Sequence, residues 1–373
     1  MITGCALAGR TSSSTTDAIF TSQDIAVSGS GSTYYRIPAL AVSDRGTVLA
    51  AFDARPTLQD LPSNIRIVVR RSTDNGRSFG KQITVRSDTA PYGFGDPSFI
   101  VDRQTGRIFL FYAAGVHEGY VGSHAGADIG DPNILQADYS YSDDDGLTWL
   151  HRRVTDLIKN PGWGGMFASS GAGIQIVHGR YSGRLVQQYT VRYRNANWAA
   201  SAYSDDHGVT WHMGQLIGPG ADENKSVELS DGTLMLNVRA KPYRKVAYSS
   251  TGGATWSGLH DDPQLPDPGD NGSIIRYAAD ATPENPESHW LLFSNTASTT
   301  DRRNLTVKMS CDDGRTWPIS NPVDTGPSAY STLARLRDGN FALLYERGGY
   351  RYITLVTFSP SWLAPRCAHY PVR

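Results

Sequence analysis

Cysteine is scarce in this chain: Cys5, Cys311 and Cys367 are the only three in 373 residues, too few and too scattered for a disulfide framework or a zinc site. The fold is therefore expected to hold by packing. An excess of one charge is missing too. Lys and Arg number 35 against 36 Asp and Glu, a formal net charge of −1, without the basic surplus that nucleic acid demands. No run of 18 apolar residues occurs, which excludes a membrane-spanning helix. Helical periodicity is nearly absent. What remains is a globular composition, 39% hydrophobic and long enough to bury a sizeable core.

The opening residues, MITGCALAGRTSSSTT, are small and polar. Ile2-Thr3-Gly4-Cys5 has the look of the end of a lipoprotein signal, but no basic region and no apolar core precede it. Residues 1–16 read either as a truncated leader or as a disordered tail, and residues 17–373 as one domain.

Internal repeats decide the architecture. The pattern Ser-x-Asp-x-Gly-x-Thr-Trp recurs as STDNGRSF (Ser72 to Phe79), SDDDGLTW (Ser142 to Trp149), SDDHGVTW (Ser204 to Trp211) and SCDDGRTW (Ser310 to Trp317), with a decayed copy, SSTGGATW (Ser249 to Trp256). Each Asp can bond its own backbone, each Gly accepts positive φ, and the closing aromatic can pack over the turn, so each copy reads as a tight hairpin turn. Ahead of these stands a second repeat, an apolar segment, a Gly-containing turn and a returning segment: PALAVSDRGTVLAAF, SFIVDRQTGRIFLFY, IQIVHGRYSGRLVQQY, VELSDGTLMLNV and LARLRDGNFALLY. Alternating apolar residues on both sides of each turn predict antiparallel strands.

One hairpin of the second kind followed by one built on the box makes a four-stranded blade. Blades then fall at about residues 31–90, 91–160, 161–218, 219–265, 266–323 and from 324 onward, the last without a box of its own. Six four-stranded antiparallel blades predict an all-β, six-bladed β-propeller. The segment AIFTSQDIAV, ahead of the first blade, is the candidate strand to complete the sixth and close the ring.

Register between the repeats places charge. Arg36 and Asp96 lie ten residues before their turn glycines, Gly46 and Gly106, while Glu223 and Tyr330 lie nine before Gly232 and Gly339. Asp53, Arg239 and Glu346 stand seven past Gly46, Gly232 and Gly339. A hairpin returns its chain to where it began, so all seven are expected at one rim of the propeller. Any one of them alone would read as a solvated strand end. Together they form a converging charged cluster, suited to a small anionic, hydroxyl-rich ligand.

YRIPAL followed by repeated boxes resembles the sialidases (neuraminidases) of the bacterial and animal type, from about residue 20 onward. That family's boxes are known as Asp boxes, and its members are six-bladed propellers that remove terminal sialic acid. The resemblance implies a carboxylate-binding arginine at Arg36, a second at Arg239 of LNVRA and a third in DRRNLTV, where Arg302 fits the spacing and Arg303 is the alternative. It implies a nucleophilic tyrosine at Tyr330 of SAYSTL, with its activating glutamate at Glu223 of DENKSVEL, Glu228 being the alternative. Glu346 of LLYERG matches the residue that braces the first arginine, and Asp60 of ARPTLQDLPSN the acid/base, with Asp53 its competitor ranked as structural. Arg55 and Asp96 match residues that contact the sugar's 4-position and polar substituents.

The chemistry accounts for these residue types. Guanidinium groups hold a carboxylate through bidentate, charge-assisted hydrogen bonds that lysine does not reproduce. A neutral tyrosine, unlike a carboxylate nucleophile, is not repelled by the substrate's own carboxylate, and it needs a base because its ordinary pKa is about 10. Neighbouring arginines are expected to favour the phenolate. The implied activity is an exo-α-sialidase on sialylated glycans, glycoproteins or glycolipids, with no cofactor or metal, acting as a secreted or cell-surface monomer. A trans-sialidase and a non-catalytic sialic-acid-binding lectin are the alternatives.

Other features carry less. His117, Glu118 and His124 lack zinc-protease spacing, and GYVGSHAGADIG reads as a long rim loop. Of Trp163, Phe94 and Phe167, one or two are expected to line a pocket for an N-acetyl group.

Overall fold

The computed structural model describes residues 18–363 and Cys367, so the expected leader or tail lies outside the described residues. The first blade consists of Tyr34–Val42, Val48–Arg55, Arg66–Ser72 and Ile83–Arg86, paired in that order. The second repeats the plan with Gly93–Val101, Ile108–Gly115, Gln136–Ser142 and Leu150–Arg153, and the fourth with Asn224–Glu228, Leu234–Val238, Tyr243–Ser249 and His260–Pro266. The remaining blades depart from it in informative ways.

In the third blade the inner strand is broken. Met166–Ala168 and Ile174–Gln175 both pair with Leu185–Tyr193, while Gly171–Ala172 between them leaves to pair in parallel with Ser98 and Phe99 of the second blade. A side chain on Gly173 would meet the Val186 carbonyl at 2.4 Å, so the absent Cβ permits the crossing. The fifth and sixth blades share one long strand, Ile319–Arg335. Its first part is the outer strand of the fifth blade, against Arg303–Ser310, and its second is the inner strand of the sixth, against Phe341–Arg347.

Phe20–Val27 pairs with Tyr352–Phe358 from Phe20 opposite Phe358 to Val27 opposite Tyr352, and so supplies the sixth blade's fourth strand. Ring closure thus falls to residues that precede the first repeat. Ile25, 3% exposed, packs in a cluster with Tyr35, Leu40 and Phe52 of the first blade and with Leu344, Ile353 and Leu355 of the sixth.

The five boxes share one geometry. In the second blade Ser142 Oγ donates to Asp144 Oδ1 at 2.8 Å and accepts the Gly146 N–H at 2.8 Å, while Asp144 accepts the Thr148 N–H at 2.9 Å. The decayed copy keeps the pattern with a hydroxyl, since Thr251 Oγ1 accepts the Thr255 N–H at 2.8 Å. The residue before each box glycine turns left-handed, as at Asp145 (φ 64°) and His207 (φ 60°), and in three of the boxes its side chain reaches the preceding blade. Asp145 Oδ2 accepts from Thr47 Oγ1 at 2.6 Å, His207 Nδ1 meets Asp102 Oδ2 at 2.8 Å, and Asp313 Oδ2 accepts from Ser230 Oγ at 2.7 Å. Trp211 likewise stacks edge-on against Phe111 of the second blade, with centroids 5.0 Å apart. The box is therefore an inter-blade clasp as much as a turn.

Packing does not act alone, because Cys311 and Cys367 form a disulfide with Cα atoms 5.6 Å apart. Their separation of 56 residues hid the pairing. The chain after the last strand folds back over the fifth blade's box, a proximity that linear spacing does not carry.

Ile25→Ala is expected to cost about 2–4 kcal/mol, the range for a buried aliphatic deletion. A passive tail would give within about 0.5 kcal/mol. Urea unfolding of the two proteins distinguishes the cases.

Candidate active site

Inner strands run from one face of the ring to the other, and their starting ends meet in a cleft of about 570 Å³. Arg36, Asp96, Glu223 and Tyr330 enter it from the first, second, fourth and sixth blades, and Arg239, Arg302, Asp60, Asp222, Glu118 and Arg192 add to the charged lining. Bulges aim three of these. The ladder register slips between Arg36 and Ala39, between Gly95 and Ser98, and between Ser328 and Ser331. Ile37 and Asp96 sit at φ 59° and 63°, each just before a proline that has no N–H to give the ladder. A β-branched residue in that region is strained, and here it is held by the Ile37 N–H donating to Glu346 Oε1 at 2.8 Å.

Tyr330 is the centre of the arrangement. The guanidinium carbons of Arg36, Arg302 and Arg239 lie 5.6, 5.2 and 6.0 Å from its ring centroid. Its hydroxyl donates to Glu223 Oε2 and accepts from Arg239 Nη1 at 2.8 Å. Burial, opposed by Arg239 and reinforced by the Glu223 charge, holds the phenol well above its ordinary pKa, against the pull of all three arginines. At rest Tyr330 is thus a neutral phenol rather than a phenolate, and the arginines do not by themselves ionise it.

Each arginine has its own carboxyl partner, and burial raises that of Arg302, Asp270, to about 7. Glu346, fully buried, accepts from Arg36 Nε at 3.0 Å and Nη2 at 3.3 Å, and from the Tyr330 N–H at 3.3 Å. Arg239 Nη1 bonds Glu223 Oε2 at 2.5 Å, with Asp222 3.7 Å from its Nε. Asp270 lies 3.4 Å from Arg302 Nε, and Tyr350 Oη accepts from Arg302 Nη1 at 3.2 Å while its ring stacks 4.3 Å from the Arg36 guanidinium carbon.

Burial would raise Glu223, yet Arg239, the Tyr330 hydroxyl and Lys225 together bring it below the usual carboxylate range, so it stands ready as a base. Lys225 is buried behind it, bonded to Asn271 Oδ1 at 3.1 Å, and burial pulls its pKa down to about 7. Ser170 Oγ closes the network, donating to Glu223 Oε1 at 3.2 Å.

On the opposite wall Asp60, 74% exposed at its side chain, accepts from Arg55 Nη1 at 2.7 Å. Arg55 itself is 1% exposed, clamped by Asp53 Oδ2 at 2.7 and 2.9 Å, and lies behind Asp60 rather than on the cleft surface. Asp53 also accepts the Asp96 N–H at 3.2 Å. Burial, then the like charges of Asp53 and Asp60, hold the Asp96 carboxyl well above the carboxylate range, so it can donate as well as accept.

The alternatives separate by position. Arg302 lines the cleft, whereas Arg303 is exposed in the strand Arg303–Ser310 beside a different groove. Glu228 is at the far end of its strand, accepting the Val177 and His178 N–H groups at 2.8 Å. Phe167 lines the cleft, edge-on to Tyr120 at 5.0 Å, but Trp163 and Phe94 are buried in blade cores. Asp222, Asp270 and Tyr350, and Glu118 and Tyr120 of the rim loop, were not singled out as site residues. They sit in connections whose lengths differ between blades, so repeat register does not reach them.

A profile of the BNR repeat-like domain matches residues 46–343. The chain is 48% identical over 366 residues to a sialidase of Micromonospora viridifaciens, covering 95% of this chain and 56% of that protein. It is 30% identical over 332 residues to a sialidase of Bacteroides fragilis, covering 84% and 60%. It thus spans somewhat under two thirds of those two relatives. A sialidase of Paraclostridium sordellii is 31% identical over 351 residues, covering 85% of this chain and 82% of that one. Among solved structures, the Hadza microbial sialidase Hz136 superposes with a TM-score of 0.81 at 31% identity, covering 89% of this chain and 66% of that one. A six-bladed propeller with this pattern of identity places the chain in the sialidase family.

Proposed function

We propose that this propeller is an exo-α-sialidase that hydrolyses terminal sialic acid from glycoconjugates with retention, through a glycosyl-tyrosine intermediate. The observation that carries the reading is the Tyr330 hydroxyl bonded to Glu223 inside a ring of three guanidinium groups. Arg36, Arg239 and Arg302 take the substrate carboxylate. Asp60 gives its proton to the glycosidic oxygen as the bond to the anomeric carbon breaks. Tyr330 Oη forms the new bond on the other side, and Glu223 takes the phenolic proton.

Water then attacks the anomeric carbon, Asp60 takes the water proton, and Glu223 returns its proton to the departing tyrosine oxygen. Two inversions give net retention. Asp96, a neutral carboxyl at the cleft wall, suits a sugar hydroxyl or amide. Sialylated glycans outside the cell are the proposed substrates, which makes secretion or surface display the proposed location.

Wild type is expected to release 4-methylumbelliferone from its α-N-acetylneuraminide, and Tyr330→Phe to lose several orders of magnitude in kcat. Equal rates in the two proteins would sink the tyrosine assignment, and a folded but inactive wild type that still binds the sialoside would favour a lectin. Lactose added to the same assay reports transfer, and free sialic acid as the sole product supports hydrolysis.

The acid limb of kcat/KM offers a second check. Lys225 is protonated below about pH 7, so its charge helps keep Glu223 ionised where the limb falls. Lys225→Met removes that charge, raises the Glu223 pKa and moves the limb to higher pH. A limb that stays in place would separate Lys225 from the base.

A further inference from the structure

The inner strands that begin at the cleft end at a second cavity, of about 250 Å³, on the face that carries the boxes. Arg36 and Val42 share the strand Tyr34–Val42, so the two sites lie about 20 Å apart at ~3.3 Å per residue. No residue lines both. The second cavity has apolar walls, among them Leu40, Val42, Phe99, Val101, Val227 and Ile274.

Arg276 enters it from the end of the strand Ser273–Arg276 and is 7% exposed. Only Nη2 is used, donating to the Ala281 carbonyl at 3.1 Å, while Nε and Nη1 are buried with no hydrogen-bond partner among the described residues. Glu228 does not answer this need. It lies 3.9 Å from Nη1, and both its oxygens already accept backbone N–H groups, from Val177 and His178 at 2.8 Å. Asp280 stands at the mouth beside Arg103, and Arg335 Nη1 is taken by the Tyr277 carbonyl. Three arginines and two carboxylates are in the lining, with Asp44 acting on Arg103 and Asp313 on Arg276 from just outside it.

Buried donors without acceptors are rare and call for an occupant. Water at the polar end can meet Arg276, but it gains no polar partners along the apolar stretch of Leu40, Phe99 and Ile274. The volume is on the order of eight waters at ~30 Å³ each. We propose that this cavity is a second binding site, for a small carboxylate with a short apolar tail, its head group on Arg276 and its tail against Leu40, Phe99 and Ile274. The site is independent of the cleft chemistry, and its ligand stabilises the ring by binding only the folded state.

Calorimetric titration of the full chain with hexanoate, acetate and 1-hexanol tests this. Hexanoate is expected to bind, and acetate and 1-hexanol at least tenfold more weakly, since each keeps half of the recognised chemistry. Arg276→Met, which removes the donors, and Ala279→Trp, which blocks the exposed mouth and leaves Arg276 intact, are each expected to weaken hexanoate at least tenfold. No binding to wild type overturns the proposal, as does hexanol binding as tightly as hexanoate. Undiminished hexanoate affinity in Ala279→Trp overturns it whatever Arg276→Met does, because carboxylates held by the cleft arginines are untouched by that change.

Discussion

Holding Arg36, Arg239 and Arg302 around one phenol ring is the constraint on which the rest of the site depends. Three cations in a largely desolvated pocket repel one another, and each persists only beside an anion that is itself held in place. Glu346 and Glu223 are those anions for Arg36 and Arg239, and Asp270, which burial raises to about 7, is the partner of Arg302. They too are buried and need donors, which come from Ile37 and Tyr330 N–H, Ser170 and Thr296. The compensation therefore runs across blades: Arg36 of the first to Glu346 of the sixth, and Tyr330 of the sixth to Glu223 of the fourth. The proposed binding of a ligand carboxylate and the pairing between blades draw on the same charges.

The same balance sets the protonation states. Tyr330 keeps its proton because burial and Glu223 outweigh three arginines, and Glu223 stays ionised because Arg239 and Lys225 outweigh its own burial. In the proposed reaction, a neutral phenol bonded to a charged carboxylate is the state from which the proton moves as a new bond to the tyrosine oxygen forms. Across the cleft the burial of Asp96 produces the opposite outcome, a neutral carboxyl, since its nearest charges are mostly negative.

The two faces of the propeller divide the work. On the box face, Ser, Asp and Gly at fixed spacing repeat one hydrogen-bonded turn, and Asp145, His207 and Asp313, each just before a box glycine, tie three of the turns to the preceding blade. On the cleft face the connections vary, and bulges with left-handed Ile37 and Asp96 re-aim the chain. Regular turns secure the scaffold, which leaves strain affordable where side chains must converge.

Repetition made much of this legible in the sequence. The boxes and hairpins fix strand order, blade number and the rim to which Arg36, Asp96, Glu223, Tyr330, Asp53, Arg239 and Glu346 belong, because a period-2 strand and a tight turn translate spacing into position. Ring closure by residues 20–27 followed from the same count, the last blade being one strand short. Asp270, Tyr350 and the rim-loop residues escaped, as did the Cys311 to Cys367 bridge and the cavity at Arg276, since each joins segments distant in the chain through irregular connections. The sequence by itself determined the repeat, and through it the scaffold and the register of the strand-borne charges. Only the tertiary structure decided which charges pair, which protons stay and what the loops add, because these depend on burial and on distances between blades that no linear spacing encodes.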